Sequence, residues 1–197
     1  MAAVEVRKNV LILGHSYVRR LAQFVYTSSM DVSPNFGINI AKCKVFYARF
    51  GGASVHRIHQ ELRKEVNRVQ PSVVILQVGS NDVKRNSDDP EELATRVLQL
   101  ARRLVNDFGI AHVVVSQLFL RNKTYCTRYN EIVQMMNTHL HDQLQGERCI
   151  SFWRHFGFWN AEFRELLQHK DKIHFNDLGN YKYYRSLKGA ILKACKQ

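Results

Sequence analysis

Residues 9–27, NVLILGHSYVRRLAQFVYT, decide the fold. The run Asn9–Leu13 is short, apolar and β-branched, the pattern of a strand buried on both faces. It stops at Gly14. From Tyr17 to Thr27 the apolar residues recur at helical spacing. A buried strand that turns into a helix within three residues is the opening of a βα unit, and the rest of the chain repeats it. KVFYA (44–48) has the pattern of a second strand. Ser54 stands as an N-cap before Val55, Ile58, Leu62, Val66 and Val69, which predict a second helix. SVVILQV (72–78) is the clearest strand. Asp89-Pro90-Glu91-Glu92 combines a cap, a first-turn proline and acids at the positive end of a helix dipole, so a helix is expected to about Asn106. A fourth strand is expected over 110–118, and a helix carries Tyr129, Ile132, Val133, Met136 and Leu140. A weaker fifth strand spans 149–153. NDLGNYKYYRSLKGAILKAC closes the chain as a helix, with Gly179 an awkward residue near its start.

Alternating strands and helices predict a parallel sheet covered on both faces. The expected architecture is a flavodoxin-like three-layer α/β/α fold with five strands in the order 2-1-3-4-5. With 197 residues, three prolines and no repeat or Ser/Pro-rich linker, residues 1–197 are expected to form a single domain.

Right-handed crossovers bring the C-terminal ends of all strands to one edge, where ligands of such folds bind. Gly14-His15-Ser16 follows strand one, Arg49–Ser54 (RFGGAS) follows strand two, and Gly79–Asp82 (GSND) follows strand three. Asp171–Asp177 (DKIHFND) precedes the last helix. All four segments should meet at that edge. Ser16 then lies where backbone N–H groups favour negative charge. A serine nucleophile needs a base, for which His174 is the candidate, and Asp171 is placed to orient its ring. The Ser16 N–H, the Gly52 N–H and the Asn81 amide are candidate oxyanion donors, Gly52 because it lets the backbone approach the reacting centre. Each feature has a bland reading: Ser16 as a helix cap, GSND as a turn, and His174 as one histidine of nine. Order, spacing and a common edge favour chemistry.

In these four segments the chain resembles the SGNH, or GDSL-type, hydrolase superfamily. The family's G-D-S block corresponds to Gly14-His15-Ser16, its block-two glycine to Gly52, its G-x-N-D to Gly79–Asp82 and its D-x-x-H to Asp171–His174. Gly51 is an alternative for block two; Gly52 is preferred because Ala53-Ser54 follows it. The resemblance implies Ser16 as nucleophile, Asp171 and His174 completing a triad, and Ser16, Gly52 and Asn81 forming the oxyanion hole. One residue departs from the pattern: His15 replaces an aspartate. A histidine there also resembles the esterase domains in the first open-reading-frame proteins of some LINE retrotransposons, a subgroup that suits a basic chain.

The resulting expectation is a serine esterase acting on short acyl, acetyl or lipid esters, with no metal or organic cofactor. No α/β-hydrolase G-x-S-x-G and no Gly-rich phosphate fingerprint is present. The net charge of +12 favours an acidic partner, RNA or an anionic membrane surface, and supports a second reading as a binding module on a hydrolase scaffold. The excess is spread out: residues 42–70 and 170–197 each hold seven Lys or Arg against two acids. Four scattered cysteines without a C-x-x-C pair are expected as reduced thiols in or near the core. The N-terminus shows no leader pattern and no apolar run reaches membrane length, so an intracellular, cytoplasmic location is expected. Residues 27–43 are left as a lid or plain loop, and the aromatic-rich 154–163 as core or acyl pocket.

Overall fold

The computed structural model describes residues 7–122, 126–159, 161–168 and 170–196. Residues 1–6, part of the stretch examined for a leader, and Asn160, part of the aromatic-rich stretch, lie outside the described residues. The strands are β1 (Lys8–Gly14), β2 (Cys43–Arg49), β3 (Val73–Gln77), β4 (His112–Ser116) and β5 (Ile150–Trp153). The helices are α1 (Ser16–Thr27), α2 (Val55–Val69), α3 (Pro90–Phe108), α4 (Tyr129–Gln143) and α5 (Asp177–Ala194), with a 3-10 segment at Ala161–Leu166. The sheet is wholly parallel in the order β2-β1-β3-β4-β5, as the sequence predicts. Helices α1 and α5 pack together, α3 packs against both α2 and α4, and the sheet lies between these two layers. Among the described residues no helix is long and apolar enough to cross a membrane.

The apolar strand runs fill the centre. Val10–Leu13, Val74, Ile75 and Leu76 are wholly buried. The α2 periodicity lands as expected: Val55, Ile58, Leu62, Val66 and Val69 are its buried residues, and Ser54 caps it by accepting from Arg57 N–H. Asp89 caps α3 by accepting from Glu91 N–H, and Gly109 ends that helix in the left-handed conformation. The expected fourth strand is trimmed to His112–Ser116. Of the cysteines, Cys43 and Cys126 are buried, but Cys149 is exposed, contrary to expectation for that thiol.

The excursion after α1 is pinned to the body. Phe36 is fully buried and stacks on Tyr184 at 4.6 Å. The Asn35 amide donates to the carbonyls of Ile38 and Cys43 and accepts from Val45 N–H. In the aromatic-rich stretch His155 and Phe158 are core residues, whereas Phe156 is 78% exposed. His155 Nδ1 pairs with Ser186 Oγ at 2.7 Å, and Ser186 also accepts from Trp153 Nε1.

Gly179 has a packing cause. A Cβ at this position would stand 2.3 Å from the carbonyl oxygen of Leu166, at the end of the 3-10 segment. The Asn176 cap of α5 holds the same segment by donating to the carbonyls of Glu165 and Leu167. Gly179→Ala is therefore expected to destabilise the protein by ~1–3 kcal/mol, as overpacking against backbone does. Urea unfolding checks it, and an unchanged midpoint would mean that α5 starts without this contact.

Two buried histidines couple stability to pH. Burial pushes both His15 and His155 down to about 3, from an ordinary 6.5. Unfolded, they take up protons below about 6.5, so between pH 6.5 and 3 the unfolded chain binds more protons and stability falls as pH falls. Urea midpoints at pH 7.5 and 5 should show this decline, and His155→Gln should flatten it. An equal pH dependence in that variant would remove His155 as a source.

Candidate active site

The register of β1 sets the site. Gly14 lies opposite Arg49 of β2 on one side and Gln77 of β3 on the other, so the segments after these three strands leave the sheet at one level. Phe50 N–H donates to Gly14 O at 2.8 Å, and His15 N–H to Gln77 O at 3.4 Å. Ser16 is thereby held at the first residue of α1. It does not cap that helix. The cap position is His15, which makes no side-chain cap bond, and the Ser16 hydroxyl has no hydrogen-bond partner among the described residues. Ser16 is only 8% exposed.

Gly52 adopts φ +73°, a left-handed conformation that a side chain would strain. Nothing lies within 4 Å of a Cβ placed there, so within the protein it is conformation, not crowding, that calls for glycine. A Cβ on the neighbouring Gly51 would meet the Arg19 guanidinium at 3.1 Å. The backbone N–H groups of Ser16 and Gly52 have no protein acceptor among the described residues.

The third segment is a turn, with Asp82 N–H donating to Gly79 O, and it also reaches across the edge. Asn81 Nδ2 donates to Ala53 O at 3.2 Å, and both oxygens of Asp82 accept from Val55 N–H at 3.1 Å. The residues after β2 and β3 are thus tied directly. One of the two amide hydrogens of Asn81 is used in this tie and one remains.

The fourth segment explains its own spacing. Lys172 turns the chain through φ +55°, so Asp171 Oδ1 accepts from both Ile173 N–H and His174 N–H at 2.9 Å. Asp171 Oδ2 faces the His174 ring and accepts from Nδ1–H at 2.8 Å. A carboxylate on Nδ1–H fixes the tautomer whose Nε2 is the basic lone pair. Burial works against the Asp171 charge, but the N–H groups of His174 and Ile173 and the His174 ring together hold its pKa below the usual value. The His174 pKa is lowered, first by burial and then by Arg20 and Arg121, although Asp171 pulls it upward.

Helix α1 joins this segment to Ser16. Tyr17 Oη donates to Ile173 O at 2.8 Å, and the rings of Tyr17 and His174 lie 5.7 Å apart. Arg20, one turn further on, donates to Asp171 Oδ2 at 3.3 Å and to Gln168 Oε1 at 3.1 Å. The structure thus brings Asp171 and His174 into contact, and Ser16 to their neighbourhood through Tyr17. It shows no hydrogen bond between Ser16 and His174.

His15 is wholly buried, and its low pKa keeps it neutral, through burial first and then Arg121 and His174. Its Nε2 lies 2.7 Å from Ser80 Oγ, which also accepts from Arg121 Nη2 at 3.3 Å. Ser80 Oγ thus links His15 to Arg121. Tyr17, Arg20, Ser80 and Arg121 were not among the residues singled out from sequence. The loop after β4, which carries Arg121, opens onto the same edge; this was the available signal.

The fold is that of known acyl-transfer proteins. A GDSL-like lipase from Bacteroides thetaiotaomicron is similar with a TM-score of 0.75 and 16% identity, over 95% of this chain and 89% of that one. The C-terminal catalytic domain of the Streptococcus pneumoniae peptidoglycan O-acetyltransferase A gives 0.64 and 15%, over 96% and 95%. The psychrotrophic esterase EstA from Pseudoalteromonas gives 0.63 and 15%, over 96% and 100%. No curated protein sequence matches the chain. Residues 14–182 match the GDSL-like lipase/acylhydrolase family, a span that takes in all four segments, and the chain belongs to that family.

Proposed function

We propose that the protein is a serine esterase in which Ser16 is the nucleophile, His174 the general base and Asp171 the residue that orients it. Family membership supports a hydrolase. The observation that carries the finer reading is the Asp171–His174 pair, whose carboxylate holds Nδ1–H and leaves Nε2 as the base, in a segment bound to the first turn of α1 beside an uncommitted Ser16 hydroxyl.

Ser16 Oγ attacks the ester carbonyl carbon while its proton passes to His174 Nε2. The carbonyl oxygen becomes an oxyanion, for which the Ser16 N–H, the Gly52 N–H and the second Asn81 amide hydrogen are the donors. Collapse breaks the ester C–O bond, and the departing alcohol takes the proton from His174. Water then attacks the acyl-serine, gives its proton to the same histidine, and the acid leaves as Ser16 is restored. Short acyl, acetyl and lipid esters are the proposed substrate class. The acetyltransferase and esterase activities of proteins with this fold support it. A finer placement, among the esterase domains of LINE retrotransposon proteins, is supported by His15 in place of the family aspartate and by the +12 charge. If that placement holds, RNA binding at low salt should fall steeply by moderate salt; no binding at low salt would remove it.

Hydrolysis of p-nitrophenyl esters from acetate upward tests the esterase reading. Ser16→Ala, folded by circular dichroism, should lose on the order of 10³-fold or more in kcat, because triad members act as a unit. Asp171→Asn should lose ~10²-fold or more, because the amide no longer selects the right tautomer. Near wild-type hydrolysis by folded Ser16→Ala would overturn the assignment. The rate should rise with pH as His174 loses its proton, with a midpoint below 6.5, since burial and the neighbouring arginines disfavour the imidazolium. A midpoint above 6.5 would mean that another group is the base.

A further inference from the structure

Arg121 is a half-buried cation at the edge of the sheet for which the mechanism above has no use. It follows β4 and lies over the face of Tyr129, with the guanidinium carbon 4.6 Å from the ring centroid. Its main chain is fixed by Asn130, whose side chain accepts from Arg121 N–H and donates to Arg121 O. No carboxylate pairs with it among the described residues. Its Nη2 makes two bonds, to Asn81 Oδ1 at 3.0 Å and to Ser80 Oγ at 3.3 Å.

We infer that Arg121 is a positioning residue of the oxyanion hole, holding the Asn81 amide so that it presents N–H, not oxygen, to the reacting carbonyl. This rests on the esterase reading of Ser16 and His174. The two ends of an asparagine amide have nearly the same shape, so only their partners decide which end points where. A guanidinium can only donate, so the atom facing Arg121 must be Oδ1; the Ala53 carbonyl can only accept, so the atom facing it must be Nδ2. These opposite demands fix a single orientation. Without Arg121, a flip would forfeit only the bond to Ala53 and would turn an oxygen toward a developing oxyanion. The second Nη2 bond extends the clamp through Ser80 to His15, the residue before the nucleophile. Because His15 is neutral, it leaves the Arg121 charge in place beside the site.

The groups that face His174 are Asp171 on its own loop, Arg20 and Tyr17 from α1, His15 at the start of α1, and Arg121 from the loop after β4. Arg121 is among those that lower the His174 pKa, so removing its charge should move the acid limb of the rate profile to higher pH.

The test is steady-state hydrolysis of p-nitrophenyl acetate by wild type, Arg121→Met, Arg121→Lys, Asn81→Ala and the Arg121→Met/Asn81→Ala double variant. Loss of an oxyanion donor costs ~10²–10³-fold in kcat, so loss of its holder should cost ~10–100-fold, with KM changed by less than about twofold. The double variant should be no slower than Asn81→Ala, because the arginine acts through the amide. Arg121→Lys keeps the charge but not the paired bonds, and should lower kcat while leaving the acid limb in place. Multiplicative losses in the double variant, or wild-type kcat in folded Arg121→Met, would overturn the proposal. A readout independent of turnover is the Asn81 side-chain amide pair in a ¹⁵N-correlated spectrum, identified by its loss in Asn81→Ala. Arg121→Met should move that pair to solvent-like shifts. An unmoved pair would overturn the positioning role, whereas an inactive wild type with a mobile pair in Arg121→Met would count against the esterase reading alone.

Discussion

The hydrogen-bonded ladders on both edges of β1 are the interaction on which the rest of the site depends. With β2 on one side and β3 on the other, Gly14 falls level with Arg49 and Gln77. Three segments far apart in sequence then leave the sheet side by side, and they are bonded to one another at once: Phe50 to Gly14, His15 to Gln77, Asn81 to Ala53 and Asp82 to Val55. A slip of one residue in either ladder would reverse the faces of the strand and separate these bonds.

Around this frame the charges are graded. Asp171 is bonded by two backbone N–H groups, a histidine ring and Arg20, so its carboxylate is kept ionised. His174 receives opposite influences: Asp171 favours the imidazolium, while burial, Arg20 and Arg121 disfavour it, and the second set prevails. The outcome suits a base that must be neutral before it acts. His15 has no carboxylate near enough to favour its proton and remains neutral, bonded through Ser80 to Arg121. Of the two arginines that lower the His174 pKa, Arg20 is bonded to Asp171 and Arg121 to Asn81.

The family aspartate replaced by His15 also finds a physical account here. Among the described residues the buried histidine makes a single side-chain hydrogen bond, to Ser80, and its Nδ1 has no partner. A neutral ring fits beside the guanidinium of Arg121 without titrating it, and its packing against Tyr17 at 5.6 Å supports the residue that reaches over to Ile173.

By itself the sequence determined the five strands, the five helices and their order, because short β-branched runs and helical spacing are local signals that burial later enforces. It also pointed to the four segments that share an edge, because parallel strands joined by right-handed crossovers have their C-terminal ends at one edge of the sheet. The Asp171–His174 contact was legible too, since a three-residue spacing can close on itself through a local turn. What only the tertiary structure decided is how these pieces are held. The tie of Arg20 to Asp171 spans 151 residues, that of Tyr17 to Ile173 spans 156 and that of Arg121 to Asn81 spans 40. The reason for Gly179 is likewise a carbonyl thirteen residues upstream, at Leu166. Ser16 looked like a helix cap because local propensity sees only the following turn; the ladder hydrogen bonds of β1 place the cap at His15 and leave the serine hydroxyl uncommitted. Contacts of this kind join side chains of no special pattern, and their partners become neighbours only when the sheet has formed.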